Sequence, residues 1–451
     1  MGTLVYDFLN DSLLFDESLL EDNYREIDEA RLEEELASYR LFITERLDNL
    51  HQEIGADNSL LRLFGNKDHF TIDRLNQAAF YLDQVVLSDP LFPLTHKSSD
   101  IAQSMKSYLG VPEDPLVNRS ELSAAIRMMQ SLRPMIAADY VKFYPSSFHS
   151  EPPEKMPVNF SEDGYASALP PELMQYYRKN VVARSMRKID KVLVVDNELR
   201  IGRGLAIGFK DDNSDLFQLY HYWQQEVAKI DEDTRTVYFQ MTLPEEDPPV
   251  EEWKNWVAQS INQSALGHFT NIIQDLSLCE ELNASYITNS EFTVNLLRQP
   301  NQAKNIKDYT AECVINLELP FLSNINTRDL MSIRQSDGEA FTLFRRELEK
   351  HLRDARHESD PEKVRAKIDD IVHELRDVQL TRVEQKVREL KRGALAESLI
   401  AIGGLAGTVL TSGTSLAATL IAASAGCHTY SEYREKVREN PAYFLWKVKN
   451  A

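Results

Sequence analysis

The sequence predicts an α+β fold that is mainly α-helical and built in several segments, with a C-terminal helical module and an Ala/Gly-rich helical hairpin. Apolar residues recur at three- and four-residue spacing between Asp28 and Ile54, which is the period of one helix face. A nearly unbroken helical pattern follows Thr327, whereas strand-forming runs are confined to the middle of the chain. These observations predict helices at both ends and a mixed region between them.

The charge balance narrows the range of partners. The chain of 451 residues carries 71 acidic and 50 basic side chains, which gives a formal net charge of -21. Such a chain repels a phosphate backbone, so nucleic acid is not expected as its default partner. A length about three times that of a usual domain predicts roughly two or three hydrophobic cores.

The cysteines and the first residues predict a cytoplasmic location. Cys279, Cys313 and Cys427 are odd in number and form no Cys-x-x-Cys pair, which predicts neither a disulfide framework nor a zinc ribbon. They are expected to be buried in a reducing compartment. Residues 1–7 have no basic stretch followed by a long apolar run, so no secretory signal is expected there.

An N-terminal helical domain is predicted over residues 1–140. Its first long helix is expected between residues 28 and 54, and further apolar helical stretches lie near 71–87 and 120–138. The apolar face of the first helix comprises Leu32, Leu36, Tyr39, Ile43, Leu47, Leu50 and Ile54. The residues between these apolar positions are largely acidic, which predicts a solvated outer face.

A proline-rich connecting segment over residues 141–172 and a mixed α/β middle domain over residues 173–326 are predicted next. The prolines of the first segment disfavour regular structure. In the second, the β-like runs 191–195 and 199–202 are joined through Asp196-Asn197, which predicts a hairpin. The other predicted elements are a strand at 236–241 and a helix at 250–278.

The C-terminal helical module is predicted over residues 327–451. Thr327 is the expected N-cap, and Asp329 lies in the first turn of its first helix. Apolar residues at alternating spacings of four and three between residues 364 and 378 predict a short coiled-coil seam. The mixed-charge face over residues 339–390 favours packing within the chain, with self-association or partner binding as the alternative.

An uncharged run, Ser398–Cys427, is rich in Ala, Gly, Leu, Ser and Thr. The turn signal at residues 411–414 divides it into two arms. Each arm would reach about 20 Å as a helix, short of the roughly 30 Å thickness of a membrane hydrocarbon core. The run is therefore expected to form a helical hairpin buried in the protein. Association with a membrane through Ser398 to Cys427 is an alternative that is not favoured.

No motif in the sequence predicts a cofactor or a metal site. Gly202-Arg203-Gly204 with Gly208 lacks the strand before and the helix after that a dinucleotide-binding loop needs, so a glycine-containing hairpin is preferred. A Walker phosphate-binding sequence is absent. His373-Glu374 lacks the second histidine of a zinc protease, and Cys and His never fall at ligand spacing. We therefore expect no cofactor-binding residue and no metal ligand.

Catalytic residues stay unassigned at this level. His351 and His357 lie on a charged helix face, where histidines are usually solvated. His221 stands among aromatic neighbours, and a core histidine packed against rings is the preferred interpretation. A composite site assembled from distant residues stays open, because sequence does not show proximity.

Two groups of residues in the last third of the chain carry a resemblance. The first is Leu319-Pro320-Phe321-Leu322, Asp329-Leu330, Ile333-Arg334, Phe341 and Phe344-Arg345-Arg346 with Leu348, and the second is Asn440-Pro441-Ala442-Tyr443-Phe444-Leu445-Trp446-Lys447. Together they resemble a family of uncharacterised bacterial proteins. The resemblance implies a bacterial cytoplasmic origin and a place among accessory genes of defence systems. It implies no activity, cofactor or catalytic residue.

The preferred functional hypothesis is a non-catalytic binding or assembly protein that engages itself or a protein partner through its C-terminal helices. Its basis is the coiled-coil seam combined with the absence of a coherent catalytic motif. Two alternatives belong to other classes. One is an enzyme, a hydrolase or nuclease, with a composite site in the middle region, which carboxylates or histidines converging in one pocket beside a metal would favour. The other is a membrane-associating effector that uses residues 398–427.

Overall fold

The computed structural model describes most of the chain up to residue 297 and short stretches beyond it. The described residues are 3–55, 61–65, 71–79, 82–96, 117–150, 163–189, 192–210, 212, 218–232, 236–242, 244–288, 290–297, 319–323, 326–337, 399–403 and 409–411. The predicted coiled-coil seam, the charged face over 339–390 and the ending over 440–447 lie outside them. So do most of Ser398–Cys427 and the histidines His351, His357 and His373.

Helices and strands alternate along much of the described chain. The helices are α1 (Leu4–Asp11), α2 (Glu17–Glu21), α3 (Glu29–Thr44), α4 (Leu47–Gly55), α5 (Ile72–Ala78), α6 (Arg119–Ala137), α7 (Pro171–Asn180), α8 (Val250–Glu281), α9 (Glu291–Leu297) and α10 (Thr327–Asp337). The strands are β1 (Arg62–Gly65), β2 (Gln84–Ser88), β3 (Val141–Tyr144), β4 (Val181–Ile189), β5 (Val192–Val195), β6 (Gly204–Phe209), β7 (Gln218–His221), β8 (Gln224–Asp231), β9 (Thr236–Thr242), β10 (Ser285–Thr288), β11 (Leu319–Ser323), β12 (Leu399–Gly403) and β13 (Val409–Thr411).

Four strands form a parallel sheet in the order β10-β1-β2-β3, and β13 adds an antiparallel strand beside β10. The chain moves outward from β1 through α5 to β2 and through α6 to β3. It then returns to the other side of β1 at β10. This change of direction makes the gap between β1 and β10 a topological switch point, and α/β proteins bind ligands at such a point, outside the carboxyl ends of the strands.

The predicted fold class, a mainly helical α+β chain with a C-terminal helical module and a helical hairpin, is wrong. The described chain is a mixed α/β protein with a parallel sheet and antiparallel sheets. Strands β1, β2 and β3 were missed because they are short and buried on both faces, so their sequences do not alternate between apolar and polar. The described parts of Ser398–Cys427 are the strands β12 and β13, paired with β11 and β10, rather than helices.

Each strand of the parallel sheet presents alternate residues to two hydrophobic cores. In β1, Leu63 belongs to the first core and Phe64 to the second. The same alternation holds in β10, where Tyr286 and Ile287 face opposite cores. Helices such as α6 and α8 cover the two faces, which is the layered arrangement that buries a parallel sheet.

The first core holds the helices whose apolar faces the sequence predicted. The helix expected over 28–54 is present as α3 followed by α4, with Asp28 accepting the Ala30 N–H at the first N-terminus. The buried residues of these two helices are Leu32, Leu36, Tyr39, Ile43, Leu50 and Ile54, all but the last within the first core. The predicted helical stretch near 71–87 is instead α5 followed by strand β2.

Helix α10 packs against α6 and adds Leu330 and Met331 to this first core. Arg334 donates hydrogen bonds to the Leu82 carbonyl (2.7 Å) and the Asp83 carbonyl (2.5 Å), and its guanidinium lies 4.5 Å from the Tyr140 ring centroid. These contacts connect the segment after residue 326 to the N-terminal part of the chain. The four predicted domain ranges, 1–140, 141–172, 173–326 and 327–451, remain predictions.

The second sheet is antiparallel, in the order β5-β4-β6-β7. The predicted hairpin between 191–195 and 199–202 is wrong, because β5 pairs with β4 and residues 196–203 form a loop. Met186 lies opposite Val195 in this pairing. The strand expected at 236–241 is confirmed as β9, and the helix expected at 250–278 is confirmed as α8.

Gly204 allows β6 to begin in close contact with β4. A Cβ atom added to Gly204 would lie 2.2 Å from the Met186 carbonyl oxygen, whereas at Gly202 the nearest atom would be 3.9 Å away. We expect Gly204→Ala to lower the free energy of unfolding by about 1–3 kcal/mol through overpacking. The matched control Gly202→Ala is expected to change it by less than about 0.5 kcal/mol. Urea unfolding measures both, and equal effects of the two substitutions would contradict this close approach.

Candidate active site at the carboxyl edge of the parallel sheet

Polar side chains follow β2, β3 and β10 at the edge where the parallel strands end. The Ser88 hydroxyl at the end of β2 hydrogen-bonds to the Ser146 hydroxyl just beyond β3. Asp89 is buried, and its carboxylate accepts the Leu91 N–H (2.8 Å), the Phe92 N–H (3.2 Å) and the Tyr39 hydroxyl. Burial raises the pKa of Asp89. Its oxygens therefore shape the turn after β2 rather than face a ligand.

A chain of hydrogen bonds follows β10 at the switch-point side of the sheet. The Ser290 hydroxyl donates to Asp212 Oδ1 at 2.7 Å. Asp212 Oδ1 also lies 3.4 Å from His268 Nε2, and His268 Nδ1 lies 2.9 Å from the Tyr177 hydroxyl. The four side chains thus form one connected network, in the order Ser290, Asp212, His268 and Tyr177.

Four elements bring these side chains together. Tyr177 lies near the end of α7, and His268 lies in the middle of α8. Asp212 comes three positions after the end of β6 at Phe209, in the antiparallel sheet. Ser290 stands between β10 and α9, where its hydroxyl also accepts the Thr293 N–H at 3.0 Å and so caps the helix.

Proton positions in the network follow from burial and charge. Burial and the nearby Asp212 carboxylate raise the pKa of Tyr177 well above its ordinary value, so its hydroxyl stays protonated and donates to His268 Nδ1. Nε2 of His268 then carries the other proton and points it at Asp212. Asp212 is the acceptor for both His268 and Ser290, which favours its ionised form.

Aromatic rings surround the inner half of the network. Tyr177 is fully buried, and its ring centroid lies 4.9 Å from that of Phe209 and 5.2 Å from that of Phe292. The His268 ring lies 5.3 Å from each of the same two phenylalanines. This apolar shell strengthens the hydrogen bonds that it encloses and leaves Tyr177 out of reach of a substrate.

The outer half of the network keeps some contact with solvent. The Asp212 side chain is 13% exposed and that of His268 is 17% exposed, while Ser290 retains 5%. A hydroxyl next to a carboxylate that is oriented by a further group is the arrangement of an activated nucleophile and its base. The alternative is a purely structural network that caps α9 and holds the chain at Asp212 against α8.

The residues singled out from sequence lie elsewhere. His221 is half-buried in β7, where it borders a surface cavity rather than a closed core. Gly202 and Gly204 belong to the loop and strand beside it, with no helix after them. Cys279 is buried and reduced in α8, whereas Cys313 and Cys427 lie outside the described residues. Within the described ranges, no three carboxylate, histidine or cysteine side chains are placed to hold a metal ion.

Sequence reasoning missed all four members of the network. Asp212 and Ser290 are 78 positions apart, and Tyr177 and His268 are 91 apart. One local signal was present: the apolar pair Tyr286-Ile287 is followed by the polar Thr288-Asn289-Ser290, as at the carboxyl end of a buried strand. Comparison with protein families, curated proteins and solved structures finds no match to this chain.

Proposed function

We propose that the protein is a hydrolase with a composite site in the middle region, in which Ser290 is the nucleophile and Asp212 its general base. The observation that carries this proposal is the 2.7 Å hydrogen bond from the Ser290 hydroxyl to the Asp212 carboxylate, directly after β10 at the carboxyl edge of the parallel sheet. A serine at a strand-to-helix turn above such a sheet is also the position of the nucleophile in α/β hydrolases. The turn here, Thr288-Asn289-Ser290-Glu291-Phe292, lacks their flanking glycines.

The reaction of an ester at this site would take two steps. In the first, Ser290 Oγ bonds to the carbonyl carbon while its proton passes to Asp212, and the alcohol leaves with that proton. In the second, a water molecule gives a proton to Asp212 and bonds to the acyl carbon. The Ser290–acyl bond then breaks, Ser290 recovers the proton and the free acid departs. The small opening at Ser290 favours substrates with a small acyl group.

His268 and Tyr177 are positioning residues in this proposal. The His268 N–H holds Asp212 Oδ1 from the side opposite to Ser290, and Tyr177 fixes the orientation of the His268 ring. Removing either should change the reactivity of Ser290 without removing the nucleophile. A network with only a structural role would change stability alone.

Reaction of the full chain with a fluorophosphonate tests the nucleophile without knowledge of the substrate. In that reaction the Ser290 Oγ–P bond forms, the P–F bond breaks and fluoride leaves. We expect wild type to be labelled, Ser290→Ala to be unlabelled, and Asp212→Asn to react about 10²–10⁴-fold more slowly. Ser88→Ala is the matched control, since Ser88 also ends a parallel strand but pairs with a hydroxyl.

Loss of the cap on α9 accompanies Ser290→Ala and costs about 1 kcal/mol, so the variant should remain folded. Circular dichroism of each variant checks this point. Equal labelling of wild type and Ser290→Ala would refute the proposal. So would the absence of labelling in folded wild type.

The assembly hypothesis and the membrane hypothesis remain predictions. The first depends on helices within 339–390 and the second on Ser398–Cys427, both largely outside the described residues. Among the helices that the structure describes, none is both long enough and apolar enough to cross a membrane. We retain a cytoplasmic location and a protein partner or self-association as proposals.

A further inference from the structure

A surface cavity of about 810 Å³ lies beside the antiparallel sheet. Its walls come from β4, from the loop between β5 and β6, and from His221 of β7, with Asp247 at the rim. The volume is within the range of about 300–1,000 Å³ typical of small-molecule sites. The cavity shares no residue with the network of Ser290 and Asp212.

The lining is unusually basic for this acidic chain. Its cations are Arg187, Lys188, Arg200 and Arg203, and its anions are Asp196, Glu198 and Asp247. The cavity therefore has one more cation than anion in a protein whose net charge is -21. Such a local excess attracts small anions even when the whole surface repels a polyanion.

The arginines retain donors for a ligand. Arg187 uses Nε for Asp196 at 3.0 Å, and Arg200 uses Nε and Nη2 for Glu198. The side chains of Arg187 and Arg200 are 65% and 72% exposed, so these ion pairs are weak and easily exchanged. The remaining guanidinium N–H groups of both residues have no partner within the described residues, and planar guanidinium groups bind phosphate through paired hydrogen bonds.

Ser185 holds the loop that carries two of these arginines. Its backbone N–H donates to the Glu198 carbonyl (3.0 Å), and its carbonyl accepts the Asp196 N–H (2.8 Å). Its hydroxyl donates to the Arg200 carbonyl (2.7 Å) and accepts the Arg200 N–H (2.6 Å). Ser185 is itself buried, so the loop is fixed before any ligand arrives, which reduces the entropy cost of binding.

His221 adds an unsatisfied polar atom at the wall of the cavity. Its Nε2 is buried and has no hydrogen-bond partner in the described part of the chain. Burial also lowers the pKa of His221, so the ring is neutral near pH 7. A buried polar atom without a partner is uncommon, and a polar ligand group in the cavity would supply one after a small adjustment.

We propose that this cavity binds a small phosphorylated molecule, with Arg187 and Arg200 holding the phosphate and the rim carboxylates accepting ligand hydroxyl groups. The guanidinium donors, the fixed loop and the orphan His221 atom support the phosphate side of this assignment. Asp196, Glu198 and Asp247 make a bare hydrophobic anion a poorer match.

Isothermal titration of the full chain with inorganic pyrophosphate tests the proposal. We expect one binding event per chain that weakens as salt rises, because the contacts are between exposed charges. Arg187→Gln and Arg200→Gln should each weaken binding by about tenfold or more, since each removes a charge-assisted hydrogen bond. Arg31→Gln, at an exposed ion pair on α3, is the matched control and should leave binding unchanged.

Both test arginines are largely exposed, so their loss should not unfold the protein. Acetate at the same ionic strength should give no comparable heat, because it lacks the multiple oxygens of pyrophosphate. The proposal fails if wild type does not bind pyrophosphate. It also fails if Arg31→Gln weakens binding as much as Arg187→Gln and Arg200→Gln do.

Discussion

Replacing Arg62 by alanine is expected to lower the free energy of unfolding by about 3–5 kcal/mol. Arg62 is 1% exposed in β1, where its Nε donates to Gln84 Oε1 at 2.7 Å and its Nη1 donates to the Leu282 carbonyl at 2.5 Å. It therefore connects β1 to β2 and to the end of α8, three residues before β10 begins. The substitution leaves two buried acceptors without this donor and opens a cavity in the sheet.

Urea unfolding of Arg62→Ala beside Arg62→Met separates the two contributions. Methionine fills most of the volume but supplies no donor, so we expect it to recover only part of the loss. Arg31→Ala removes an exposed arginine paired with Glu34 and should change stability by less than about 0.5 kcal/mol. A loss at Arg62 no larger than at Arg31 would contradict the role assigned to Arg62.

Asp275→Asn is expected to stabilise the protein at neutral pH. Asp275 in α8 accepts a hydrogen bond from the Tyr286 hydroxyl at 3.3 Å, and burial raises its pKa to about 7. A carboxyl group with a folded-state pKa above its unfolded value destabilises the fold as pH rises from about 4 to about 7, because the folded state then has to release a proton that it binds more tightly. Part of the side chain meets solvent, so we set the gain at about 2–4 kcal/mol above pH 7.

The difference in unfolding free energy between Asp275→Asn and wild type should vary with pH. It is expected to be near zero at about pH 4, to grow through the acidic range and to level off above about pH 7. Asp73→Asn, an exposed residue on α5 with the same change of charge, is the control and should show no such growth. A gain for Asp275→Asn that does not depend on pH would contradict the raised pKa.

Long helices were the part of the fold that sequence could predict. The three- and four-residue spacing over α3 and the long apolar pattern of α8 reflect one buried face, and that signal is local. Even so, Asn326 rather than Thr327 caps α10, because its side chain accepts the Asp329 N–H at 2.9 Å.

The parallel sheet could not be predicted from local patterns. A strand such as Val141–Tyr144 is four residues long and buried throughout, so it presents the same apolar run as a buried turn of helix. Its partner in the sheet is Gln84–Ser88, far away in sequence, and nothing in either stretch specifies the pairing. The predicted hairpin near Asp196 failed for a related reason, since the pairing strand β4 lies before β5 rather than after it.

The candidate site required this long-range pairing as well. Ser290 takes its place from β10, which sits beside β1 only after more than two hundred intervening residues have folded around it. Asp212 and His268 look like unremarkable polar residues of a loop and a helix in the sequence. Their chemistry arises from the 2.7 Å and 3.4 Å contacts that the tertiary structure creates.

The position of the phosphonate adduct is the most direct test of the proposed nucleophile. The full-length chain would be reacted with the fluorophosphonate and digested, and the modified peptide sequenced by mass spectrometry. We predict a single adduct on Ser290, formed much more slowly in Asp212→Asn. An adduct on any other residue, or a folded wild-type chain that carries none, would contradict the assignment of Ser290 and Asp212 as an active site.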